Sequence, residues 1–301
     1  MDQRIILLIG IAAVMLGSCD SDEPKGNEDN SSKTEAPAGY VPVSVLEYSP
    51  APGQFVNELP LYRDGYGIED MRKAASEAID KGEIVSLGGA GGYIVYRLDK
   101  YITNRPGRDF RIIGNAFHTK TVDGTVYGSS EPGIVYVMED SNGNGLPDET
   151  WYELYGSQST QRTKATLKYT QETLGNNSYR ISVLVDGAPY ESWLSAPQFH
   201  PHSYFPLWVS EASLSFEAVL LPANAIQMAD GQYMQECYTG YADSQPNSSA
   251  ESGLDISAAR DSEGRAVELK RVDFVKVVTG VLQFNGQLGE CSTEVGQIEA
   301  L

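Results

Sequence analysis

The fold is decided around the stretch Ile134-Val135-Tyr136-Val137-Met138-Glu139-Asp140-Ser141-Asn142-Gly143-Asn144-Gly145-Leu146-Pro147-Asp148. Its first five residues are β-branched, aromatic or apolar, a composition typical of a β-strand. The part from Asp140 to Asp148 is rich in Asn, Asp and Gly, which favour turns and loops. The stretch therefore predicts a strand that ends in a polar loop, followed by a second strand over residues 150–155.

The loop carries oxygen-bearing groups at alternate positions. A hard cation such as Ca²⁺ takes about six to eight oxygen ligands, and Gly145 permits the sharp turn that such a loop needs. Compared with the EF-hand template, loop positions one, three, five, six and nine are filled acceptably. The sequence thus predicts a structural calcium site with the candidate ligands Asp140, Asn142, Asn144, the backbone carbonyl of Leu146, and Asp148.

The template is incomplete at position twelve, where Trp151 replaces a bidentate glutamate. Glu149, Glu153 or a carboxylate from elsewhere could complete the site. Further oxygen donors at strand ends or in turns could serve this site or form a second one, namely Asp109, Asn115, Glu131 and Asp243. The alternative is an ordinary turn without an ion, since the same residue types dominate turns.

The composition indicates a globular, mainly β protein. The chain has 301 residues, of which 41% are apolar, with 30 glycines and 18 tyrosines. These proportions allow a core and favour many strands and turns. The net charge of -19 argues against nucleic acid as a partner, because the phosphate backbone is itself negative.

Periodicity predicts one helix and many short strands. The helix is expected over Ile68 to Asp80, with Gly82 as its stop. Residues 41–48 are predicted to form a strand at a sheet edge, because Pro42 cannot donate to a ladder. Other strands are expected at 83–87, 93–98, 110–113, 165–169, 179–185, 214–221, 254–256 and 272–278. We therefore predict that residues 40–301 form a single β-sandwich of jelly-roll type.

The N-terminus has the features of a bacterial lipoprotein. Residues 1–18 are predicted to be a signal peptide, whose apolar run is too short to span a bilayer. Leu16-Gly17-Ser18-Cys19 resembles the lipobox, so Cys19 is the predicted lipidation site and the only attachment to the membrane. Residues 19–39 are predicted to be a disordered acidic tether. The alternatives are an ordinary signal peptide or a transmembrane anchor.

Motifs spread over nearly all of the chain from about residue 40 are similar to those of one family. They are Ser86–Gly89, Gly91–Val95, Gly107–Phe110, Gly114–Phe117, Ser130–Val135, the loop at Asp140, Trp151–Leu154, Gly240–Asp243, Val272–Val277, Gly289–Glu290 and Ser292–Val295. The family that they resemble consists of cell-surface proteins known mainly from Bacteroidetes. The resemblance implies a calcium-binding β-sandwich lipoprotein linked to the outer-membrane uptake machinery. The acidic run Asp20–Glu23 is likewise similar to the surface-export signal of Bacteroidetes lipoproteins, which implies that the protein faces the cell exterior.

One segment, His200-Pro201-His202-Ser203-Tyr204-Phe205-Pro206-Leu207-Trp208, combines histidines with aromatic residues. On an extended chain, side chains two residues apart point the same way. Exposed Trp and Tyr rings stack on sugars or flat cofactors. A metal site at the histidines and a purely structural role are the alternatives. The predicted ligand-binding residues are His200, His202, Tyr204, Trp208 and Tyr241.

Catalytic motifs are missing from the sequence. It has neither a Gly-x-Ser-x-Gly elbow nor a His-Glu-x-x-His motif, and the glycines of residues 88–92 lack the residues that complete a phosphate-binding loop. The predicted function is a surface-exposed outer-membrane lipoprotein that binds a glycan or a corrinoid-type cofactor as an accessory to nutrient uptake. The alternatives are a glycoside hydrolase, which needs two carboxyl groups, and a purely structural surface protein.

Two cysteines remain once Cys19 is assigned to the lipid. Thiols can oxidise in a chain that leaves the cytoplasm. We therefore predict a disulfide between Cys237 and Cys291, which would tie the C-terminal tail to the body of the sandwich. Two separate buried thiols are the alternative, because the sequence does not give their separation.

Overall fold

Strands make up most of the regular structure of this protein. The computed structural model describes residues 33–120, 126–175, 178–190, 192–194, 202–228, 231, 233–285 and 289–301. Within these residues there is one α-helix, α1 (Ile68–Asp80), together with two 3₁₀ turns (Ala250–Ser252 and Ile256–Ala258). The mainly β class predicted from the sequence is confirmed.

The strands of the described residues have two to eight residues, apart from three that have nine to thirteen. In the first half of the chain they are β1 (Gly39–Val41), β2 (Val43–Ser49), β3 (Val85–Ser86), β4 (Tyr93–Thr103), β5 (Phe110–Ile112), β6 (Phe117–Lys120), β7 (Val126–Ser129), β8 (Gly133–Met138) and β9 (Tyr152–Leu154). In the second half they are β10 (Thr163–Gly175), β11 (Ser178–Val185), β12 (Ala188–Pro189), β13 (Trp193–Leu194), β14 (Ser213–Leu220), β15 (Ala225–Gln227), β16 (Tyr233–Glu236), β17 (Gly253–Leu254), β18 (Ala259–Arg260), β19 (Arg271–Thr279), β20 (Glu294–Val295) and β21 (Ile298–Ala300).

The described strands pair into five antiparallel sheets. The largest has six strands in the order β18-β9-β8-β19-β4-β2. Three sheets have four strands along their main path, in the orders β1-β21-β5-β17, β12-β11-β10-β14 and β15-β16-β7-β6, and β13 adds to β11. The fifth consists of β20 and β3. This arrangement does not divide plainly into two facing sheets, so the single jelly-roll sandwich stays a prediction.

Helix α1 begins and ends at the residues that the sequence predicts. The N–H of Gly67 donates to Oδ2 of Asp70 at the first turn (3.0 Å), which satisfies a backbone donor there. Gly82 follows the helix with a φ of +80°. The apolar face of the helix is buried against the largest core cluster, which includes Met71, Ala75 and Ile79. Burial of this face is the main source of stability for a helix of this length.

The strand predicted over residues 41–48 is confirmed in part. β2 lies at the edge of the six-stranded sheet as expected, but Pro42, which has no N–H to donate, divides the predicted strand into β1 and β2. The glycines between β3 and β4 are required by close packing. A Cβ at Gly88 would lie 1.8 Å from the carbonyl oxygen of Ala51, and one at Gly92 would lie 1.9 Å from that of Leu87. These glycines therefore serve close backbone contacts.

Residues 33–301 form one compact unit, which includes the last seven residues assigned above to the tether. Glu35 pairs with Tyr101 of β4 in a parallel bridge, and the side chain of Ala36 is buried. The ordered contacts of the chain therefore begin before Tyr40. The predicted signal peptide, Cys19 and the first part of the tether lie outside the described residues.

Candidate cation sites and ligand groove

The loop between β8 and β9 is organised around Asp140. The two strands pair antiparallel, with Tyr136 opposite Glu153. Oδ2 of Asp140 accepts a hydrogen bond from the N–H of Gly145 (3.0 Å), and Gly145 has a φ of +72°, which favours glycine. Oδ1 of Asp140 has no hydrogen-bond partner, although the side chain is only 4% exposed. A buried carboxylate oxygen is costly unless a cation or water satisfies it.

The two asparagines connect the start of this loop to its end. Oδ1 of Asn142 accepts from the N–H of Asn144 (2.9 Å), and Oδ1 of Asn144 accepts from the N–H of Leu146 (2.8 Å). Their amide nitrogens donate to the two carboxylate oxygens of Asp148, at 3.1 and 2.9 Å. Hydrogen bonds from Asn144 and Asn142 hold the pKa of Asp148 below its usual value. The predicted ligand residues thus lie in one hydrogen-bonded loop.

Glu149 is the residue that closes the loop. Its Oε1 accepts from the backbone N–H groups of Ser141 (2.8 Å) and Asn142 (3.0 Å), while Oε2 is buried without a partner. Glu153, the other closing residue considered from the sequence, is engaged elsewhere, since its Oε2 lies 3.1 Å from Nε of Arg162. Of these two, Glu149 is therefore the one placed to contribute an oxygen to a cation in the loop.

The donor set of the loop fits a hard cation. Carboxylate, amide and carbonyl oxygens are the ligands that Ca²⁺ uses in proteins. Two of the carboxylate oxygens, Oδ1 of Asp140 and Oε2 of Glu149, lack a partner. The three acids of the loop are not among the described groups whose ligand atoms all lie within 4.8 Å of one another. Coordination would therefore depend on the amide and carbonyl oxygens as well.

A second acidic site lies inside the protein. Ligand oxygens of Glu131, Asp243 and Glu294 all lie within 4.8 Å of one another. Glu131 precedes β8, Asp243 follows the isolated pairing of Ala242 with Gly133, and Glu294 begins β20. Three segments that are far apart in the sequence are therefore joined at this cluster, which we call the buried acid cluster.

Hydrogen bonds from the backbone satisfy much of the buried acid cluster. Oδ1 of Asp243 accepts from the N–H groups of Asn115 (2.9 Å) and Ala116 (3.0 Å), and its Oδ2 accepts from that of Glu294 (2.9 Å). Oε1 of Glu131 accepts from the N–H of Ser292 (2.9 Å). The cluster thus fixes several loops, which is a structural role in addition to any chemistry.

The acids of the cluster have raised pKa values. Burial raises the pKa of Asp243 to about 7 and that of Glu294 to about 8. Burial, together with the charges of Glu294 and Asp243, raises the pKa of Glu131 well above its usual value. Burial also raises the pKa of the neighbouring Glu290 to about 7. Closely spaced carboxyl groups with raised pKa values share protons rather than carry full charges.

Part of this cluster is predictable from the sequence. Asn115, Glu131 and Asp243 are candidates for a second oxygen site, and the structure brings them together. Asp109 lies elsewhere, where it accepts from the N–H groups of Arg105 and Ile256. Glu294 was missed. The alternation of Glu290, Ser292 and Glu294 was the available signal, because alternate residues of an extended segment share one face.

The structure does not bring the predicted ligand residues together in one site. Tyr204 and Tyr241 are buried in separate core clusters. His202 is exposed, and His200 lies outside the described residues. Trp208 is half-buried and stacks near Tyr48 and Tyr62, with ring centroids 6.1 and 6.3 Å away. Trp208 is the predicted residue that lines a cavity.

The cavity beside Trp208 has a volume of about 290 Å³, and we call it the Trp208 groove. It combines an aromatic wall with charged side chains. The hydroxyl of Tyr93, at the start of β4, donates to Oε2 of Glu47 (2.9 Å), and Arg72 pairs with Glu69 (2.9 Å). Apolar rings with a few polar groups are typical of small-molecule sites.

The predicted disulfide is not present. Cys237 and Cys291 are both free thiols in the structure. The half-buried thiol of Cys237 contacts Ser130. Cys291 is buried in an apolar cluster with Ile134 and Tyr241. The structure thus has the alternative arrangement, two unlinked thiols.

Comparisons with known proteins give no family for this chain. No protein-family model matches it, and no match was found among curated proteins. Among the described residues, no helix has both the length and the apolar character needed to cross a membrane.

Proposed function

We propose that this protein is a lipid-anchored surface protein of the outer membrane that captures a glycan as an accessory to nutrient uptake. The observation that carries the ligand-binding part is the Trp208 groove. The anchoring part rests on the lipobox at Cys19 and on the acidic residues after it, and the proposed partner is the outer-membrane uptake machinery. The resemblance to Bacteroidetes surface lipoproteins, and the jelly-roll sandwich that it implies, belong to this proposal.

The chemistry of the groove favours a sugar ring as the ligand. Sugars present both an apolar face and a set of hydroxyl groups, which suit an aromatic ring beside charged hydrogen-bonding side chains. Trp208 and Tyr93 supply the rings, and Glu47, Glu69 and Arg72 supply the polar groups. A volume of about 290 Å³ matches one or two sugar units better than a corrin macrocycle.

We propose in addition that the Asp140 loop binds a structural Ca²⁺ ion. Asp140, Asn142, Asn144, the carbonyl of Leu146, Asp148 and Glu149 would hold it. The ion would neutralise the buried carboxylate oxygens of Asp140 and Glu149, which lack partners in the protein. Its role would be to fix the connection between β8 and β9 rather than to take part in a reaction.

The glycoside hydrolase alternative gains no support from the site. Retaining enzymes hold two carboxyl groups about 5 Å apart, and the buried acid cluster has comparable spacing. However, Glu131, Asp243 and Glu294 do not line the Trp208 groove. The two carboxyl groups that do line the groove are each engaged by a neighbour, Glu47 by the hydroxyl of Tyr93 and Glu69 by Arg72. We therefore propose capture without turnover.

The proposal can be tested by calorimetric titration with defined neutral oligosaccharides. Cobalamin is titrated in parallel to represent the alternative ligand class, the corrinoid-type cofactors. We expect an oligosaccharide to bind and Trp208→Ala to weaken it about tenfold, which is about 1.4 kcal/mol. Trp151→Phe, in a different cavity lined also by Tyr136 and Lys276, is the matched control and should bind as the parent does. Binding of cobalamin alone, or equal affinity of Trp208→Ala, would contradict the proposal.

A further inference from the structure

Residues 33–36 pack along the end of β4, and we call them the clasp. The N–H of Ala36 donates to the carbonyl oxygen of Tyr101 (2.8 Å), and the N–H of Tyr101 donates to that of Thr34 (3.2 Å). Glu35 forms an ion pair with Arg105. The clasp is therefore a short added strand that joins the predicted tether to the six-stranded sheet.

The clasp begins at a buried charge network. Nζ of Lys33 lies 3.6 Å from Oδ1 of Asp273, whose side chain is fully buried, and 5.0 Å from the ring centroid of Phe274. Nε of Arg271 lies 3.0 Å from Oδ2 of Asp273. The same Oδ2 accepts from the N–H of Asp140 (3.0 Å). Asp273 thus connects Lys33 directly to the first residue of the Asp140 loop.

Lys33 is held in this network by fewer contacts than Arg271. Its ammonium is buried and makes no hydrogen bond in the described residues, so charge alone holds it to Asp273. Arg271 has an additional anchor, because its Nη2 donates to the carbonyl oxygen of Asp140 (3.1 Å). A new positive charge near Asp140 would therefore displace Lys33 more readily than Arg271.

We propose that Lys33 and a divalent cation in the Asp140 loop oppose each other, so that cation binding loosens the clasp. The proposal rests on the proposed cation site. The ammonium and the cation carry charges of the same sign and act on one network, because Asp273 pairs with Lys33 and accepts from the N–H of Asp140. Charges that are largely shielded from water are screened only weakly by salt. Cation binding in the loop would then lengthen the tether by releasing residues 33–36.

The coupling must be reciprocal. If the cation weakens the clasp, removal of the Lys33 charge must strengthen cation binding by the same factor. Release of residues 33–36 would add about 13 Å of extended chain to the tether. The domain would then reach farther from its point of attachment when the loop is loaded.

Calorimetric titration of the full chain with Ca²⁺ tests the coupling. We expect Lys33→Gln to bind Ca²⁺ about fivefold more tightly or better than the parent. Lys33→Arg, which keeps the charge, should bind as the parent does. Lys81→Gln, which removes an exposed charge beyond α1, is the control for net charge. Equal or weaker binding by Lys33→Gln would overturn the proposal.

Hydrogen exchange at the amides of Ala36 and Tyr101 provides the second readout. In the parent, Ca²⁺ should raise exchange at both amides, and in Lys33→Gln exchange should be fast without Ca²⁺. A parent that binds Ca²⁺ with unchanged exchange at these amides would overturn the antagonism alone. A parent that binds no Ca²⁺ would overturn both the antagonism and the proposed cation site.

Discussion

Oδ1 of Asp243 accepts a hydrogen bond from the backbone N–H of Asn115 at 2.9 Å, across 128 positions of the sequence. Asp243 has a φ of +49°, which is uncommon for a residue with a side chain. Its other oxygen accepts from the N–H of Glu294. One buried carboxyl group therefore holds together three distant parts of the chain, and its charge state affects the stability of all of them.

Stability is expected to fall as the pH rises from about 4.5 to about 7. Burial raises the pKa of Glu290 from 4.5 to about 7. An acid with a raised folded-state pKa stabilises the native state below its unfolded pKa and loses that contribution as the pH rises through the folded value. For Glu290 the contribution is on the order of 3 kcal/mol. Chemical denaturation at a series of pH values measures it.

Glu290→Gln isolates this contribution. The substitution keeps an oxygen that can accept from the N–H of Gln54, as Oε1 of Glu290 does at 2.6 Å, but it does not titrate. Relative to the parent, the variant should gain stability as the pH rises from about 4.5 to about 7. Glu211→Gln, an exposed acid, should leave the slope unchanged. Parallel curves for the parent and Glu290→Gln would contradict the assignment.

Calcium should raise the melting temperature of metal-free protein. A ligand that binds only the native state stabilises it by about 2.7 kcal/mol at a hundred times its Kd. Asp140→Ala should abolish this increase, because Asp140 supplies the unpartnered Oδ1. Asp64→Ala, an exposed acid outside the loop, should respond as the parent does. An equal increase in Asp140→Ala would place the ion elsewhere.

Both Cys237 and Cys291 should be free thiols. In a Cys19→Ser chain that is denatured without reductant, mass spectrometry after alkylation should detect two modified cysteines. In the native state Cys291 should resist alkylation, because burial raises the pKa of its thiol well above the usual range and shields it. If the two cysteines of the denatured chain were alkylated only after reduction, the predicted disulfide would be supported instead.

Surface display should depend on the residues at the start of the mature chain. Cys19→Ala should remove the lipid, which labelling with a radioactive fatty acid would detect. Replacement of Asp20, Asp22 and Glu23 by alanine should keep the protein in the membrane but protect it from external protease. If external protease still digested the triple variant fully, these three residues would not be the export signal.

Local sequence patterns predicted the elements of the fold well. The helix bounds, the edge position of β2 and the long strands follow from apolar periodicity and from residues with restricted backbones. The division of the strand over residues 41–48 at Pro42 was not predicted. Short strands such as β15, β18 and β20 were missed because two or three residues carry no periodicity. The grouping into five sheets depends on long-range pairing, such as that of β19 with β4 and β8, which no local pattern encodes.

The candidate sites also differ in how far they could be predicted from the sequence. The Asp140 loop was predictable because its ladder is contiguous in the sequence. The buried acid cluster joins residues 131, 243 and 294, so the sequence could suggest members but not the assembly. Tyr204 and Tyr241 were predicted to contact a ligand and are buried in the core. Aromatic residues serve both purposes, and only the packing distinguishes them.

Strand β4 connects the Trp208 groove to the clasp. Tyr93 at its first residue lines the Trp208 groove, and Tyr101 near its other end holds the clasp. Eight residue steps of strand separate the two, a span of about 26 Å. The groove and the clasp therefore lie toward opposite ends of one strand, so a ligand in the groove and a released clasp would not compete for the same surface.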